Sequence, residues 1–334
     1  MSALVLGPVE VRRLLPMRQC MDLVAQALRA LAVDDGLNPL RWGVGLPDGR
    51  GILGMMPGYL ASPPALGLKV VAVFPGNHGT ELDAHQGVVV LFDDGNGVPL
   101  AILDASEVTA IRTAAASGVA TELLACTDAS ELAIIGSGVQ ARTHLEAMLL
   151  ARPIRRVQVY SPDRGRRRAF VEREGRGRDV EITAVGSVEQ AVESADVICT
   201  VTSSREPVLM GEWIKDGAHI NAVGASVPTA RELDTAAVVR SRLFVDRRES
   251  TLNESGDFLF PKQEGAIDDD HILGEIGEIL LGRAEGRTRP DEITLFKSLG
   301  LAVEDLAAAR YVHDRALDEG LGTEVDLGGR RVLD

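Results

Sequence analysis

Aromatic residues and cysteines are scarce in this chain of 334 residues: aromatic side chains make up 4% of it, and there are three cysteines. A core must therefore be built mainly from Ala, Val, Leu and Ile. Hydrophobic residues reach 45%, enough for one large or two medium cores. Cys20, Cys126 and Cys199 are far apart, odd in number and without metal-ligand spacing. They predict reduced thiols, no metal site and a cytoplasmic location.

Positive charge and long apolar runs are also lacking. The net charge of -14 argues against a nucleic-acid surface, and Arg164 to Arg168 is only a short basic exception. No apolar run approaches membrane-spanning length, and Glu10, Arg12 and Arg13 interrupt the apolar start, so we expect no secretory signal. Neither nucleic acid nor a membrane is expected as a partner.

What the chain does have is a strand-turn-helix pattern from Leu132 to Leu150. Four apolar residues suited to a buried parallel strand precede Gly136, and apolar residues at helical spacing follow. Gly136, Gly138 and Ala141 give Gly-x-Gly-x-x-Ala, which lets backbone N–H groups approach a pyrophosphate at a helix N-terminus. The alternative is an ordinary turn with small residues for packing. The strand-helix units that follow favour a nicotinamide-nucleotide fold.

The second half of the chain is predicted to be a Rossmann-type, doubly wound parallel sheet. Its strands are expected at 132–135, 156–160, 180–184, 196–201, 218–223 and 242–246, with helices at 139–150, 164–174 and 188–194. Polar and Gly-rich turns, a short helix at 276–281 and an extended segment at 293–299 are expected after Asp246.

The first half is predicted to be a mostly antiparallel α+β domain. Short β-rich runs between Leu40 and Leu103 are separated by turn signals, one helix is expected before Gly36, and another from Asp104 to the Cys126 region. A closing helix near 303–317 is expected to return to this domain. The α/β fold therefore divides into residues 1–112 with 300–334 and residues 113–299.

The end of the second parallel strand bears on the choice of cofactor. Ser161 stands where NAD-binding folds usually carry an acidic residue, and Arg164, with Arg166 or Arg167, could pair with a 2′-phosphate. This favours NADP(H), although the neighbouring Asp163 keeps NAD(H) possible and the arginines could be a solvated cluster.

Polar residues follow two further strands. Thr200, Thr202, Val223 and Ser226 lie where the carboxyl ends of parallel strands meet, so they are predicted to line a nicotinamide pocket. Because Thr and Ser are common turn formers, each could equally serve the turn alone.

Three cations in the first half interrupt or border apolar runs. Arg41, Lys69 and Arg112 would need anionic partners if buried, and a substrate carboxylate could supply one. Lys69 could also donate a proton. The alternative is three salt bridges or solvent-reaching side chains. His78, in a Gly-rich loop, is expected to be exposed rather than catalytic.

Short motifs along the whole chain add to these features. They are Gly54 to Pro57, Leu68 to Val70, His85 to Gly87, Leu91 to Asp93, Ile102 to Asp104, Thr109 to Ala115, Ile135 to His144, Ile220 to Ala225, Pro228, Arg231 to Asp234 and Leu295 to Gly300. Taken together, these motifs make the chain resemble the ornithine cyclodeaminase/mu-crystallin family over nearly its whole length. The resemblance implies a homodimer through the antiparallel sheet, a nicotinamide cofactor, and a carboxylated imino- or amino-acid substrate held by Arg41, Lys69 and Arg112. It also implies that a set of residues lies near the cofactor: His85, Arg112, Val139, Gln140, Val223 and Phe296 to Ser298. Thr113 and Ser137, which lie within the same motifs, are also predicted to bind the cofactor.

One departure from the pattern bears on the reaction. Cyclodeaminases carry an aspartate just before a Pro-containing turn, where this chain has Ser226 before Pro228. Because Ser226 is not anionic at neutral pH, the pattern resembles the ketimine-reductase branch. We therefore expect an NAD(P)H-dependent reductase of a small 2-imino acid, or a related amino-acid dehydrogenase, with Lys69, Arg41, Arg112 and Ser226 at the reacting centre. A redox-neutral cyclodeaminase and a non-catalytic binding protein remain the alternatives.

Overall fold

The computed structural model describes residues 2–77 and 80–329. The chain forms two units, residues 1–112 with 301–334 and residues 113–300. The first boundary falls between Arg112 and Thr113, inside a long helix. Each unit is built on its own sheet, one mostly antiparallel and one parallel, which confirms the predicted fold class.

In the described part of the first unit there are eight strands, and helices cover its sheet. The strands are β1 (Ser2–Leu6), β2 (Gly36–Leu37), β3 (Trp42–Gly45), β4 (Ile52–Ala61), β5 (Pro64–Val73), β6 (His85–Phe92), β7 (Pro99–Asp104) and β16 (Thr323–Asp326). Their order is β16-β1-β7-β6-β5-β4-β2, with β3 beside β4, and every pairing is antiparallel except that of β1 with β7. The helices are α1 (Pro8–Leu14), α2 (Met17–Ala32), the start of α3 (Ala105–Leu124) and α11 (Ala302–Glu319).

The second unit has eight parallel strands in the order β10-β9-β8-β11-β12-β15-β13-β14. Its first five strands thus have the 3-2-1-4-5 order of dinucleotide-binding sheets. The strands are β8 (Glu131–Ile135), β9 (Arg156–Tyr160), β10 (Glu181–Ala184), β11 (Val197–Thr200), β12 (His219–Ala222), β13 (Ser241–Val245), β14 (Ile272–Glu275) and β15 (Ile293–Lys297). The helices are α4 (Val139–Ala151), α5 (Arg164–Gly175), α6 (Val188–Val192), α7 (Thr235–Val239), α8 (Arg248–Glu254), α9 (Gly256–Gln263) and α10 (Ile276–Leu280).

Aliphatic side chains fill both cores, as the shortage of aromatic residues requires. In the parallel sheet, β11 and β12 are buried at every position, so their side chains contact neighbours on both faces. Four of the few aromatic residues lie in the cores: Phe170, Phe244, Phe258 and Phe296 are among the largest fully buried side chains. Within the described residues, no helix combines the length and apolar character required to cross a membrane.

The predictions of several helices and strands were wrong. The single helix expected before Gly36 is two helices, because Pro16 lacks an N–H and forms the N-cap of α2. The strand starting at Ile52 continues through Pro57 to Ala61. The segment after Asp246, expected to be turns, contains α8, α9 and β14, and β16 was not predicted. These elements are too short to show a period in the sequence.

Candidate functional site

The turn between β8 and α4 has the backbone of a phosphate-binding loop. Gly136 has a φ of 129°, and a Cβ there would lie 2.7 Å from the carbonyl oxygen of Val201. Gly138 is the N-cap of α4, and nothing lies within 4 Å of the position of its missing Cβ. Ala141 is fully buried. The start of this helix therefore leaves room for a pyrophosphate, which its N–H groups and dipole would attract.

The loop contacts the end of β9 through two hydroxyls. Ser137 donates a hydrogen bond to Ser161 Oγ at 3.0 Å. Arg167 lies beside them: its guanidinium donates to the Ser161 carbonyl at 2.8 Å, and its Cζ lies 5.2 Å from the centre of the Tyr160 ring. Arg167 is thus engaged in holding the strand end.

Asp163, the acidic residue that left NAD(H) as an alternative cofactor, caps a helix. Asp163 is the N-cap of α5 and accepts from the Arg166 backbone N–H at 2.9 Å, and this bond lowers the pKa of its carboxyl. Arg164, in the first turn of the same helix, is exposed. Arg166 is exposed as well, whereas Arg167 is partly buried.

A buried carboxylate ties together the carboxyl ends of β11 and β12. Glu232 accepts from the Thr200 hydroxyl at 2.9 Å, from the Thr202 hydroxyl and backbone N–H at 2.7 Å each, and from the Gly224 N–H at 2.6 Å. Thr200 is fully buried, whereas Thr202 is partly exposed. The hydroxyl protons of both threonines are therefore used within the protein, and Thr200 supports the strand end instead of facing an open surface.

A second acid and a lysine lie behind Glu232. Asp257 accepts from the backbone N–H groups of Glu232 and Leu233 at 2.8 and 3.0 Å, and from Lys297 Nζ at 2.8 Å. Burial, and the charge of Asp257, raise the pKa of Glu232. This network fixes the loops in which the predicted pocket residues lie.

Three other predicted residues follow strands of the parallel sheet: Val223 and Ser226 come after β12, and Ser298 comes after β15. Val223 is buried, and Ser226 is partly exposed. Ser298 is 1% exposed, and its hydroxyl has no hydrogen-bond partner among the described residues. A buried hydroxyl in this state is costly unless a ligand completes it, so Ser298 fits a cofactor contact.

The first unit contains a buried cluster of two cations and two carboxylates. Lys69, at the middle of β5, is 2.8 Å from Asp305 Oδ2 and 3.3 Å from the Thr109 hydroxyl. Arg112, on α3, donates from Nε to Asp305 Oδ1 at 2.8 Å and from Nη1 to Glu304 Oε2 at 2.9 Å. Lys69 and Arg112 are each 3% exposed, and both carboxylates, on α11, are fully buried. Asp305 thus binds both cations.

Opposing interactions act on the pKa of Lys69. Burial, followed by the charge of Arg112, lowers the pKa of Lys69 to about 8, whereas Asp305 acts in the opposite direction. Arg41, which is partly buried before β3, also lowers this pKa and so acts on the same ammonium. The alternative of salt bridges within the protein thus describes Lys69 and Arg112 in this structure, because α11 supplies a carboxylate to each.

The other predicted cofactor residues differ in accessibility. His85 is exposed at the start of β6, Val139 is 49% exposed at the start of α4, and Gln140 is partly buried. Thr113 is 7% exposed. His78 lies outside the described residues.

Sequence reasoning missed the acidic residues that organise both regions. Glu304 and Asp305 stand in an otherwise apolar, Ala-rich stretch, and this interruption is the same signal that identified Lys69. Glu232 gave no such signal, because it lies in a loop between Arg231 and Leu233 and does not interrupt an apolar run, although it falls within the family motif from Arg231 to Asp234. Within the described residues, no group of three or more His, Cys, Asp or Glu side chains could hold a metal ion.

These features define a two-unit α/β protein with a Rossmann-type sheet. The profile described as the ornithine cyclodeaminase/mu-crystallin family matches residues 1–320, and the chain belongs to that family. The predicted resemblance is therefore confirmed.

Relatives and solved structures of this family span most of the chain. The ketimine reductase mu-crystallin of Mus musculus is 42% identical over 278 residues, which are 83% of this chain and 85% of the relative. The structure of Thermococcus litoralis Delta(1)-pyrroline-2-carboxylate reductase in complex with NADH and L-proline is 40% identical, with a TM-score of 0.94 over 96% of this chain and 100% of that one. An archaeal alanine dehydrogenase dimer with bound NAD is 33% identical, with a TM-score of 0.92 over 98% and 100%.

Replacing Gly136 by alanine is expected to weaken cofactor binding. The new Cβ would contact a backbone carbonyl and strain a positive φ, at a cost of about 1–3 kcal/mol, so we expect the Kd for NADPH and NADH to rise roughly tenfold. Titration of reduced-nicotinamide fluorescence measures it. Gly175→Ala is the control, since that position is open. An unchanged Kd in Gly136→Ala would show that this loop does not bind the cofactor.

Proposed function

We propose that the protein is an NAD(P)H-dependent reductase of a small 2-imino acid, a cyclic ketimine such as pyrroline- or piperideine-2-carboxylate. The observation that carries the proposal is a buried lysine and a buried arginine bound to the same carboxylate, in a chain that also has a Rossmann-type sheet. The names of the mouse and Thermococcus relatives, a ketimine reductase and a pyrroline-2-carboxylate reductase, support it.

Arg112 and Arg41 bind the substrate carboxylate. A guanidinium carries five N–H donors, and those of Arg112 that are bonded to Asp305 and Glu304 leave others for a ligand. The planar arrangement of these donors matches a carboxylate. Because the guanidinium is held by two buried carboxylates, it is oriented before the substrate arrives, which reduces the entropy lost on binding.

Lys69 donates the proton that completes the reaction. When bound, the nicotinamide cofactor supplies a hydride to the imine carbon. The electron pair of the C=N bond then moves to nitrogen, which takes a proton as an N–H bond of the Lys69 ammonium breaks. An ammonium has three N–H donors, and the contacts with Asp305 and Thr109 engage two. The third serves the substrate, and solvent restores the proton afterwards.

Ser226 contacts the substrate nitrogen with a neutral hydroxyl. Reduction of an imine needs a hydride and a proton but no additional carboxylate to manage a second amine. This supports a reductase over a cyclodeaminase.

A homodimer and a cytoplasmic location complete the proposal. Large apolar side chains are exposed on β3 and β4, including Trp42 at 58% and Val44 at 56%, and a second copy of the chain would cover them. The archaeal relative is described as a dimer, which supports this arrangement. The three cysteines are free, in keeping with a reducing compartment.

The direct test is to mix the protein with NADPH or NADH and each of the two cyclic ketimines. We expect the absorbance of the reduced nicotinamide to fall with at least one of them, with no ammonia released. A flat absorbance across the panel would contradict the proposal. Ammonia release from ornithine without net oxidation or reduction of the cofactor would identify a cyclodeaminase instead.

The rate of reduction should depend on pH through Lys69. The donor must be protonated and its pKa is about 8, so kcat/KM should be level below that pH and fall above it, approaching tenfold per unit. Lys69→Arg stays charged throughout this range and should be slower but lack the alkaline decline. The same decline in Lys69→Arg would assign it to another group.

NADP(H) is the proposed preferred cofactor, and Arg164 the residue that recognises its 2′-phosphate. Loss of one charge-assisted contact, about 1.5–3 kcal/mol, should raise the KM for NADPH roughly ten- to a hundredfold in Arg164→Ala and leave that for NADH unchanged. Arg168→Ala, an exposed position farther along α5, is the control. An equal rise of the KM for NADPH and for NADH in Arg164→Ala would show that Arg164 does not recognise the 2′-phosphate.

A further inference from the structure

The buried cluster of the first unit contains a carboxylate that joins two proposed functional cations. Asp305 binds Lys69 through Oδ2 and Arg112 through Oδ1, each at 2.8 Å, and is itself fully buried. The two cations come from different elements, β5 and α3, so a single side chain of α11 sets their separation. Glu304, the preceding residue, bonds Arg112 at Nη1 instead.

The positive charges would repel each other without this carboxylate. Like charges repel more strongly in a buried setting than in water, and burial of a lone ammonium favours its neutral form. The charge of Arg112 accordingly lowers the pKa of Lys69. Asp305 offsets both effects, because it supplies the opposite charge: it accepts a hydrogen bond from Arg112 and forms an ion pair with Lys69.

The groups that act on Lys69 come from two helices and from the segment before β3. Arg112 and the Thr109 hydroxyl belong to α3, Asp305 belongs to α11, and Arg41 precedes β3. Cys20 of α2 lies within the field of Asp305, but burial raises its pKa far above neutrality, so it stays an uncharged thiol. Asp305 is the acidic side chain in this set that raises the pKa of Lys69.

We propose that Asp305 is the positioning residue of this site: its carboxylate holds the Lys69 ammonium beside the Arg112 guanidinium and keeps Lys69 protonated, so that the lysine can donate to the substrate nitrogen. This inference rests on the proposed function. If the ion pair only stabilised the fold, its loss would leave kcat and the pH profile of imine reduction unchanged, whereas the positioning role predicts that both change.

The test compares Asp305→Asn with the wild type. Asparagine keeps the shape but loses the charge, so the alkaline decline of kcat/KM for imine reduction should move about one pH unit or more lower, with kcat reduced more than KM is raised. Glu304→Gln should weaken carboxylate binding and leave the decline in place. Asp318→Asn, at an exposed position on the same helix, is the control for a lost carboxylate.

A second readout needs no turnover. Pyrrole-2-carboxylate, a planar carboxylate that cannot be reduced as an imine, is titrated into the protein with NADPH in buffers of different ionisation enthalpy. Binding an anion near Lys69 should draw in a proton, with maximal uptake near pH 8 in the wild type, at lower pH in Asp305→Asn, and none in Lys69→Arg.

The outcomes separate the two proposals. If the wild type reduces no cyclic imine, the proposed function fails, whatever the calorimetry shows. If the wild type is active but Asp305→Asn keeps the wild-type pH profile and proton uptake, the positioning role is overturned. Should Asp305→Asn not fold, Asp305→Glu decides: a displaced carboxylate should lower kcat with the decline still near pH 8, and an unchanged kcat would overturn the role.

Discussion

The pairing of Lys69 and Arg112 with two carboxylates of α11 is the interaction on which the first unit depends. Two cations cannot be buried in an aliphatic core without anions, because each would lose its hydration uncompensated. The end of the chain therefore has to reach the sheet formed by its beginning. Glycines allow the close approach: a Cβ at Gly58 would lie 3.0 Å from Ala302 Cβ, and one at Gly67 would lie 2.9 Å from Leu306 Cδ2. Charge neutralisation and close packing thus place the same helix.

In the second unit the buried charges that need compensation are mainly negative. Glu232 and Asp257 are two buried acids, of which Asp257 binds a buried lysine, Lys297, and backbone N–H groups supply much of the remaining compensation. These bonds converge on the loops after β11 and β12, which have no regular structure to hold them. A strand end that must present an exact surface to a flat cofactor ring gains rigidity from a buried acceptor behind it. In each unit, buried charge orders the residues proposed to act.

The sequence predicted those elements whose local pattern is strong. The β8 strand, the Gly136 to Gly138 turn and α4 could be recognised because apolar run, turn and helical period follow one another directly. The short helices α8 and α9 could not, since fewer than three turns do not establish a period. Lys69 and Arg112 were identified from their apolar surroundings, but their partners lie about 200 residues away in the chain, and no local rule joins such positions. The full burial of Thr200 likewise follows from packing, which a strand-end rule does not describe.

The ionisation of Lys69 also explains why lysine, and not a third arginine, suits this position. An imine reductase needs a group that is charged at neutral pH, so that it attracts the carboxylate and holds a proton, yet releases that proton once the nitrogen becomes basic. Arginine holds its proton too firmly, and a fully buried lysine without an acid would not hold one at all. In this cluster, burial and the neighbouring cations lower the pKa of Lys69, and Asp305 limits the effect. The same acid that makes burial of the cluster possible therefore sets its chemistry.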